Sequence, residues 1–169
     1  YSWPSDMPIN KVNELRNELQ RLISLLNLGT SIYNVETRLG KDGKVYIMEV
    51  TPRGGGNRLS ELIKYASGED LIANCVKASV GLPLDALHDP VYKGIWAEYI
   101  IHSEKKGIFD TLYVDEDFEK KYVIEKDLWI KCGDIVHAFT GANETIGTLI
   151  MKFSCQSEMQ ENLKNINNY

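Results

Sequence analysis

The stretch Tyr33-Asn-Val-Glu-Thr-Arg-Leu-Gly-Lys-Asp-Gly-Lys-Val-Tyr-Ile-Met-Glu-Val-Thr51 alternates apolar and polar residues on both sides of Asp42-Gly43. That pattern predicts a β-hairpin, because Asp-Gly supplies the positive φ that a two-residue type I′ turn needs at both central positions. With Asp42 and Gly43 as the turn, the expected cross-strand pairs are Leu39–Tyr46, Arg38–Ile47, Thr37–Met48, Glu36–Glu49, Val35–Val50 and Asn34–Thr51. Side chains alternate between the faces of a strand. One face then carries Val35, Thr37, Leu39, Tyr46, Met48 and Val50 and reads as the core side. The other carries Asn34, Glu36, Arg38, Ile47, Glu49 and Thr51. Like charges directly opposite one another destabilise a sheet. Glu36 facing Glu49 therefore needs an explanation.

A divalent cation is one explanation. Mg²⁺ takes hard oxygen ligands, commonly one or two carboxylates, with water and substrate phosphates in its remaining positions. Thr51, one step along the same face, offers a further weak oxygen ligand. The competing reading is a solvent-facing hairpin whose charge is neutralised by Arg38, and the hairpin alone leaves both open. The following residues add to the first reading. Arg53 points to the same side if the strand stays extended, and Gly54-Gly55-Gly56 frees backbone N–H groups to approach an anion. Arg58 adds a second guanidinium at the start of the next helix, whose N-terminus favours negative charge. Glu61 lies one helical turn further on. A cation site, two guanidinium groups and an anion-friendly backbone are the parts phosphoryl chemistry uses. A run of three glycines is also compatible with a plain flexible turn.

Composition excludes several classes. The 169 residues carry a net charge of −5 and include 43% apolar residues, which suits one domain, or one with a small appendage, built on a real core. The acidic balance gives no electrostatic footprint for nucleic acid or an anionic membrane, and no run approaches the ~18 apolar residues of a membrane span. No secretory signal is visible, and the opening Tyr1-Ser-Trp-Pro reads like an internal piece of a longer protein. Cys75, Cys132 and Cys155 are far apart and show no metal-ligand spacing, so reduced thiols and a cytoplasmic setting are expected. His88, His102 and His137 are likewise scattered and read as surface or packing residues.

Leu15, Leu19, Leu22 and Leu26, together with Val12, predict a helix over 9–28 stopped by Gly29. Leu59, Leu62, Ile63 and Ala66 predict a second helix. Ser67-Gly-Glu-Asp70 suggests a capping box opening a third, closed by Gly81 and Pro83. A boundary is expected near 90, dividing the chain into 1–90 and 91–169. Beyond it, 95–102, 107–114, 122–131, 135–140 and 145–153 read as short strands of a small antiparallel sheet. Trp96 and Trp129 read as core or sheet packing, and Asp115–Lys121 as a solvated turn. Ser157 is expected to cap a terminal helix carrying Met159, Leu163 and Ile166. The fold class is α+β.

Tyr-Asn-Val-Glu36, the run Tyr-Ile-Met-Glu49-Val-Thr-Pro-Arg53-Gly-Gly-Gly, Gly68-Glu-Asp-Leu-Ile and Gly81-Leu-Pro together resemble the ATP-grasp superfamily. The resemblance implies the C-terminal part of an ATP-grasp domain, an antiparallel sheet with packed helices, over 1–90. Residues 91–169 are similar to the β-rich C-terminal region of L-amino-acid ligases, through Lys131-Cys-Gly-Asp134 and Gly147. It implies ATP and Mg²⁺ (or Mn²⁺) as cofactors, with Glu36 and Glu49 as metal ligands and Arg53, with Arg58, holding phosphate or acylphosphate. Gly54, Gly55 and Gly56 would form the nucleotide-side loop. Thr51 stands where the family most often has Asn, which weakens a ligand without abolishing the site. The implied activity is ATP-dependent joining of a carboxylate to an amine through an acylphosphate. The partners implied are small-molecule carboxylate and amine substrates and an upstream lobe gripping the nucleotide, without which these residues are expected to be inactive. A biotin-carboxylase-like or purine-biosynthesis enzyme is the alternative within the family, and a non-catalytic binding or regulatory module is the alternative outside it.

Overall fold

The structure is a computed structural model that describes residues 1–88 and 90–168. In chain order its elements are β1 (Ser2–Trp3), α1 (Ile9–Leu25), β2 (Asn34–Leu39), β3 (Val45–Thr51), α2 (Leu59–Ser67) and α3 (Leu71–Ser79). They continue with β4 (Ile95–His102), β5 (Gly107–Ile108), α4 (Glu116–Tyr122), β6 (Val123–Leu128), β7 (Ile135–Val136), β8 (Thr145–Phe153) and α5 (Gln156–Lys164). Contacts divide the chain into two compact units. One comprises Tyr1–Pro4, Tyr65–Gly68 and Pro90–Tyr169, the other Ser5–Lys64 and Glu69–Asp89. The fold is mixed α and β, with antiparallel strand pairing in every sheet.

In the first unit a four-stranded sheet has the order β1-β4-β8-β6. β8 is central and buried along nearly its whole length, so Ile146, Leu149, Ile150 and Met151 are all buried with Thr148 among them, rather than alternating with exposed residues. Ala97 and Ile101 of β4 join Leu149, Met151 and Phe153 of β8 in one core, closed by Phe118 and Tyr122 of α4 and Met159 of α5. Tyr122 is the keystone: its ring lies 4.9 Å from Phe153 and 5.1 Å from Phe118, and its hydroxyl donates to Glu158 at 2.9 Å. Each fully buried Phe, Met or Leu here contributes roughly 1.5–3 kcal/mol. β4 and β8 match the expected strands residue for residue.

Elsewhere the strand expectations run long. Of 107–114 only Gly107–Ile108 is strand, and of 135–140 only Ile135–Val136; the two form a separate small ladder. Asp115–Lys121 is not a turn. Asp115 caps α4 by accepting from the backbone N–H of Asp117 and Phe118, and Glu116, Asp117 and Glu119 occupy its first turn, where the helix dipole favours acids. Trp129 is 45% exposed and donates to Asp127, whereas Trp96 is buried as expected. The cap of α5 is Cys155 rather than Ser157, and the Glu158 carboxylate reaches back to the Ser154 amide and hydroxyl.

In the second unit α1 packs against β3. The helix stops at Leu25, not near Gly29, because Asn27 adopts φ 49°. The Leu28 N–H then bonds the Ile23 carbonyl and the Asn27 N–H bonds the Ser24 carbonyl, a Schellman closure with Asn in the left-handed position. Ser67 does not open α3: it is the last residue of α2, and Asp70 caps α3 through the Ala73 N–H at 2.8 Å. All three cysteines are free thiols. No described helix is long and apolar enough to cross a membrane.

Candidate functional site

The hairpin reaches the expected carboxylate pairing by a different route. Asp42 does not take positive φ, so the two-residue type I′ turn does not form. The loop is instead Lys41-Asp42-Gly43. The Gly43 N–H bonds the Gly40 carbonyl at 2.9 Å, Gly43 turns left-handed at φ 74°, and the Gly40 N–H bonds the Lys44 carbonyl at 2.8 Å. This is the three-residue hairpin loop that requires a residue such as glycine at its last position. Asp42 braces it, accepting from the Lys44 N–H and the Tyr46 hydroxyl.

The longer loop shifts the register by one, giving Leu39–Val45, Arg38–Tyr46 and Thr37–Ile47. A β-bulge at Met48 then restores it, so that Glu36 faces Glu49, Val35 faces Val50 and Asn34 faces Thr51. Tyr46 therefore shares the face of Glu36, Arg38, Glu49 and Thr51, and Ile47 lies on the opposite face, the reverse of the expectation. Burial agrees: Val45, Ile47 and Val50 are half-buried, while Tyr46 and Glu49 are exposed. Met48, the bulged residue, is 63% exposed and belongs to neither ladder.

Both carboxylates are held by one oxygen. Oε1 of Glu36 lies 2.6 Å from Nη2 of Arg38, and Oε1 of Glu49 accepts from the Thr51 hydroxyl at 2.6 Å. No hydrogen bond or ion pair from a described residue reaches Oε2 of either side chain. The cross-strand repulsion is thus eased on one side by a guanidinium and on the other by a neutral donor. Among the described residues no group of three or more His, Cys, Asp or Glu side chains converges on a metal-sized space. Two carboxylates with their remaining oxygens available nevertheless suit Mg²⁺, which fills its other positions with water and phosphate rather than a full protein cage.

β3 does not stay extended beyond Thr51. The Arg53 N–H bonds the Thr51 carbonyl at 2.9 Å, a tight turn centred on Pro52, whose fixed φ suits it. Arg53 is exposed and its Nη1 donates to the Gly54 carbonyl at 2.8 Å. The glycine loop then folds onto the first turn of α2. A Cβ at Gly55 would lie 2.5 Å from Leu59 Cδ2, so any side chain there would have to displace Leu59. Arg58 is buried, and its guanidinium forks onto Glu61, Nε to Oε2 at 2.8 Å and Nη2 to Oε1 at 2.7 Å. The two arginines that look alike in sequence thus differ, Arg53 facing solvent and Arg58 engaged within α2. The placement of Tyr46 on this face was missed from sequence because it depends on the bulge, whereas Arg38, expected to neutralise the carboxylates, does so through Glu36 on its own strand.

Solved structures share this fold. The chain superposes on an L-amino acid ligase from Bacillus licheniformis with a TM-score of 0.82 at 17% identity, covering 99% of this chain and 42% of that one. It matches phosphoribosylglycinamide synthetase from Anaerococcus prevotii at TM-score 0.75 and 23% identity, covering 99% and 43%. The biotin carboxylase domain of the Hydrogenobacter thermophilus 2-oxoglutarate carboxylase, crystallised with MgADP and bicarbonate, matches at TM-score 0.68 and 17% identity over 90% and 34%. These proteins are ATP-grasp ligases, and the chain has their fold over nearly its whole length while spanning about two fifths of theirs. No protein-family model matches the sequence.

Proposed function

We propose that these residues form part of an ATP-dependent ligase that activates a carboxylate as an acylphosphate and joins it to an amine. The observation that carries this reading is the exposed Glu36–Glu49 pair, opposed across a two-stranded sheet with one oxygen of each fixed and the other available. Glu36 and Glu49 would hold Mg²⁺, which when bound neutralises phosphate charge. Thr51 fixes Glu49. Arg53, exposed at the edge of the glycine loop, would contact the transferred phosphate or the acceptor carboxylate, and Gly54–Gly56 lets the loop backbone approach it. The nucleotide would lie between this face and a further lobe of the same protein. The shared fold with an L-amino acid ligase and a phosphoribosylglycinamide synthetase supports the ligase class.

The test is nucleotide binding by the intact protein as Mg²⁺ is varied. Glu49→Gln should lower Mg²⁺-dependent nucleotide affinity by on the order of tenfold or more, since changes even one shell further out commonly cost that much. An unchanged Mg²⁺ dependence would sink the metal assignment and leave the reading of a non-catalytic module standing.

A further inference from the structure

Arg38 enters the reading above only as the group that fixes one Glu36 oxygen, and its 2.6 Å contact is as short as the Thr51–Glu49 bond on the same face. Glu36 and Arg38 are two residues apart on β2, and the extra residue of the bulge lies on β3, so their shared face is undisturbed. The Arg38 guanidinium is tied at two points: Nη2 to Oε1 of Glu36 at 2.6 Å and Nη1 to the Thr37 carbonyl at 3.1 Å. Its cross-strand neighbour Tyr46 commits its hydroxyl to Asp42, and Glu49 is bonded to Thr51. Among the described residues, Glu36 is the carboxylate on which Arg38 rests.

We propose that Arg38 is a built-in counter-cation of this face, a positioning residue that holds Glu36 ready while lowering the affinity of the carboxylate pair for a divalent cation. The proposal rests on the metal reading of Glu36 and Glu49. Two effects oppose each other. Holding Glu36 in one rotamer favours binding, but that gain is bounded by the strength of an exposed ion pair, about fivefold at most. Against it act the repulsion between a guanidinium and a doubly charged ion, and the loss or sharing of the ion pair when the ion arrives. The charge effects act together on a 2+ ion and outweigh orientation. In the free protein the same contact quiets the repulsion between Glu36 and Glu49, so Arg38 keeps the empty hairpin sound and makes occupancy conditional on ion concentration.

The experiment titrates the intact protein with Mn²⁺ alone, followed by the loss of its free-ion electron paramagnetic resonance signal. Arg38→Gln should bind Mn²⁺ about three- to tenfold more tightly than wild type at low salt, with the difference shrinking as ionic strength rises. Arg38→Lys should stay near wild type. Lys41→Gln removes an exposed positive charge from the turn and should change little. Glu49→Gln should weaken binding. If Glu49→Gln leaves binding unaltered, or no binding that depends on Glu49 is found, the metal reading fails and this proposal with it. If Glu49→Gln weakens binding while Arg38→Gln binds no more tightly than wild type, the role of Arg38 alone is overturned. Equal tightening by Lys41→Gln would also overturn it, since the effect would then be one of net charge rather than of the contact.

Discussion

A Cβ on Gly55 would stand 2.5 Å from Cδ2 and 3.0 Å from Cβ of Leu59, whereas one on Gly56 meets nothing within 4 Å. Neither residue has positive φ. Gly55→Ala should therefore destabilise the protein by about 1–3 kcal/mol through overpacking. Gly56→Ala should be neutral or stabilise by up to about 1 kcal/mol, through a stiffer unfolded chain. Urea unfolding of the two variants distinguishes them, and equal effects would refute the packing account. In sequence the glycines are interchangeable, because what separates them is the position of Leu59 one turn into α2. The same limit applies to Arg53 and Arg58. Residue type and spacing mark both as anion contacts, but only coordinates reveal the fork of Arg58 onto Glu61. The opposition of Glu36 and Glu49 was legible in the short-range alternation of the strands, but the route to it was not, since the Asp-Gly turn does not form and a bulge at Met48 restores the pairing.

At the level of elements, β4 and β8 were legible to their ends because β-branched and aromatic runs with abrupt stops leave little choice. The helix α4 was not. Its acidic first turn and basic last turn resemble any solvated charged loop until Asp115 is seen to cap it and Phe118 and Tyr122 to face the core. The start of α5 was misplaced for a related reason: Ser157 is a good capping residue, but Glu158 is the group that ties the turn down. Its carboxylate accepts from the Ser154 hydroxyl, the Ser154 N–H and the Tyr122 hydroxyl, with Lys121 nearby, and these hold its pKa at about 2 against an ordinary 4.5. A carboxyl with a depressed folded-state pKa adds stability that is fully present above its unfolded value and is lost as pH falls through the folded one. The contribution of Glu158 should thus be complete above about pH 5 and vanish between about pH 4.5 and 2. Urea unfolding of wild type and Glu158→Gln across that range checks it: the gap between them should narrow as pH falls. A gap that widens on acidification would contradict the assignment.

On the scale of the whole molecule the two units are built differently. The unit containing β4 and β8 holds a continuous cluster of buried side chains, while α1 and the strands of the hairpin contain no residue that is fully buried. Hydrogen exchange on this chain should find β8 and β4 amides protected longest and those of α1, β2 and β3 exchanging earlier. Protection in the hairpin equal to that in β8 would show that local burial does not set the order. The bulge at Met48 gives the carboxylate face of the hairpin an unexpected robustness. A two-residue turn without a bulge and the observed three-residue turn with one are alternative solutions for the same strands, and both place Glu36 opposite Glu49. A slip of one residue ordinarily turns a strand inside out along its full length. Here such a slip in the turn half would be absorbed at Met48, exchanging Tyr46 and Ile47 between faces while the carboxylates stay where they are. The hairpin contains its own errors: a one-residue slip at the tip stops one residue short of Glu49.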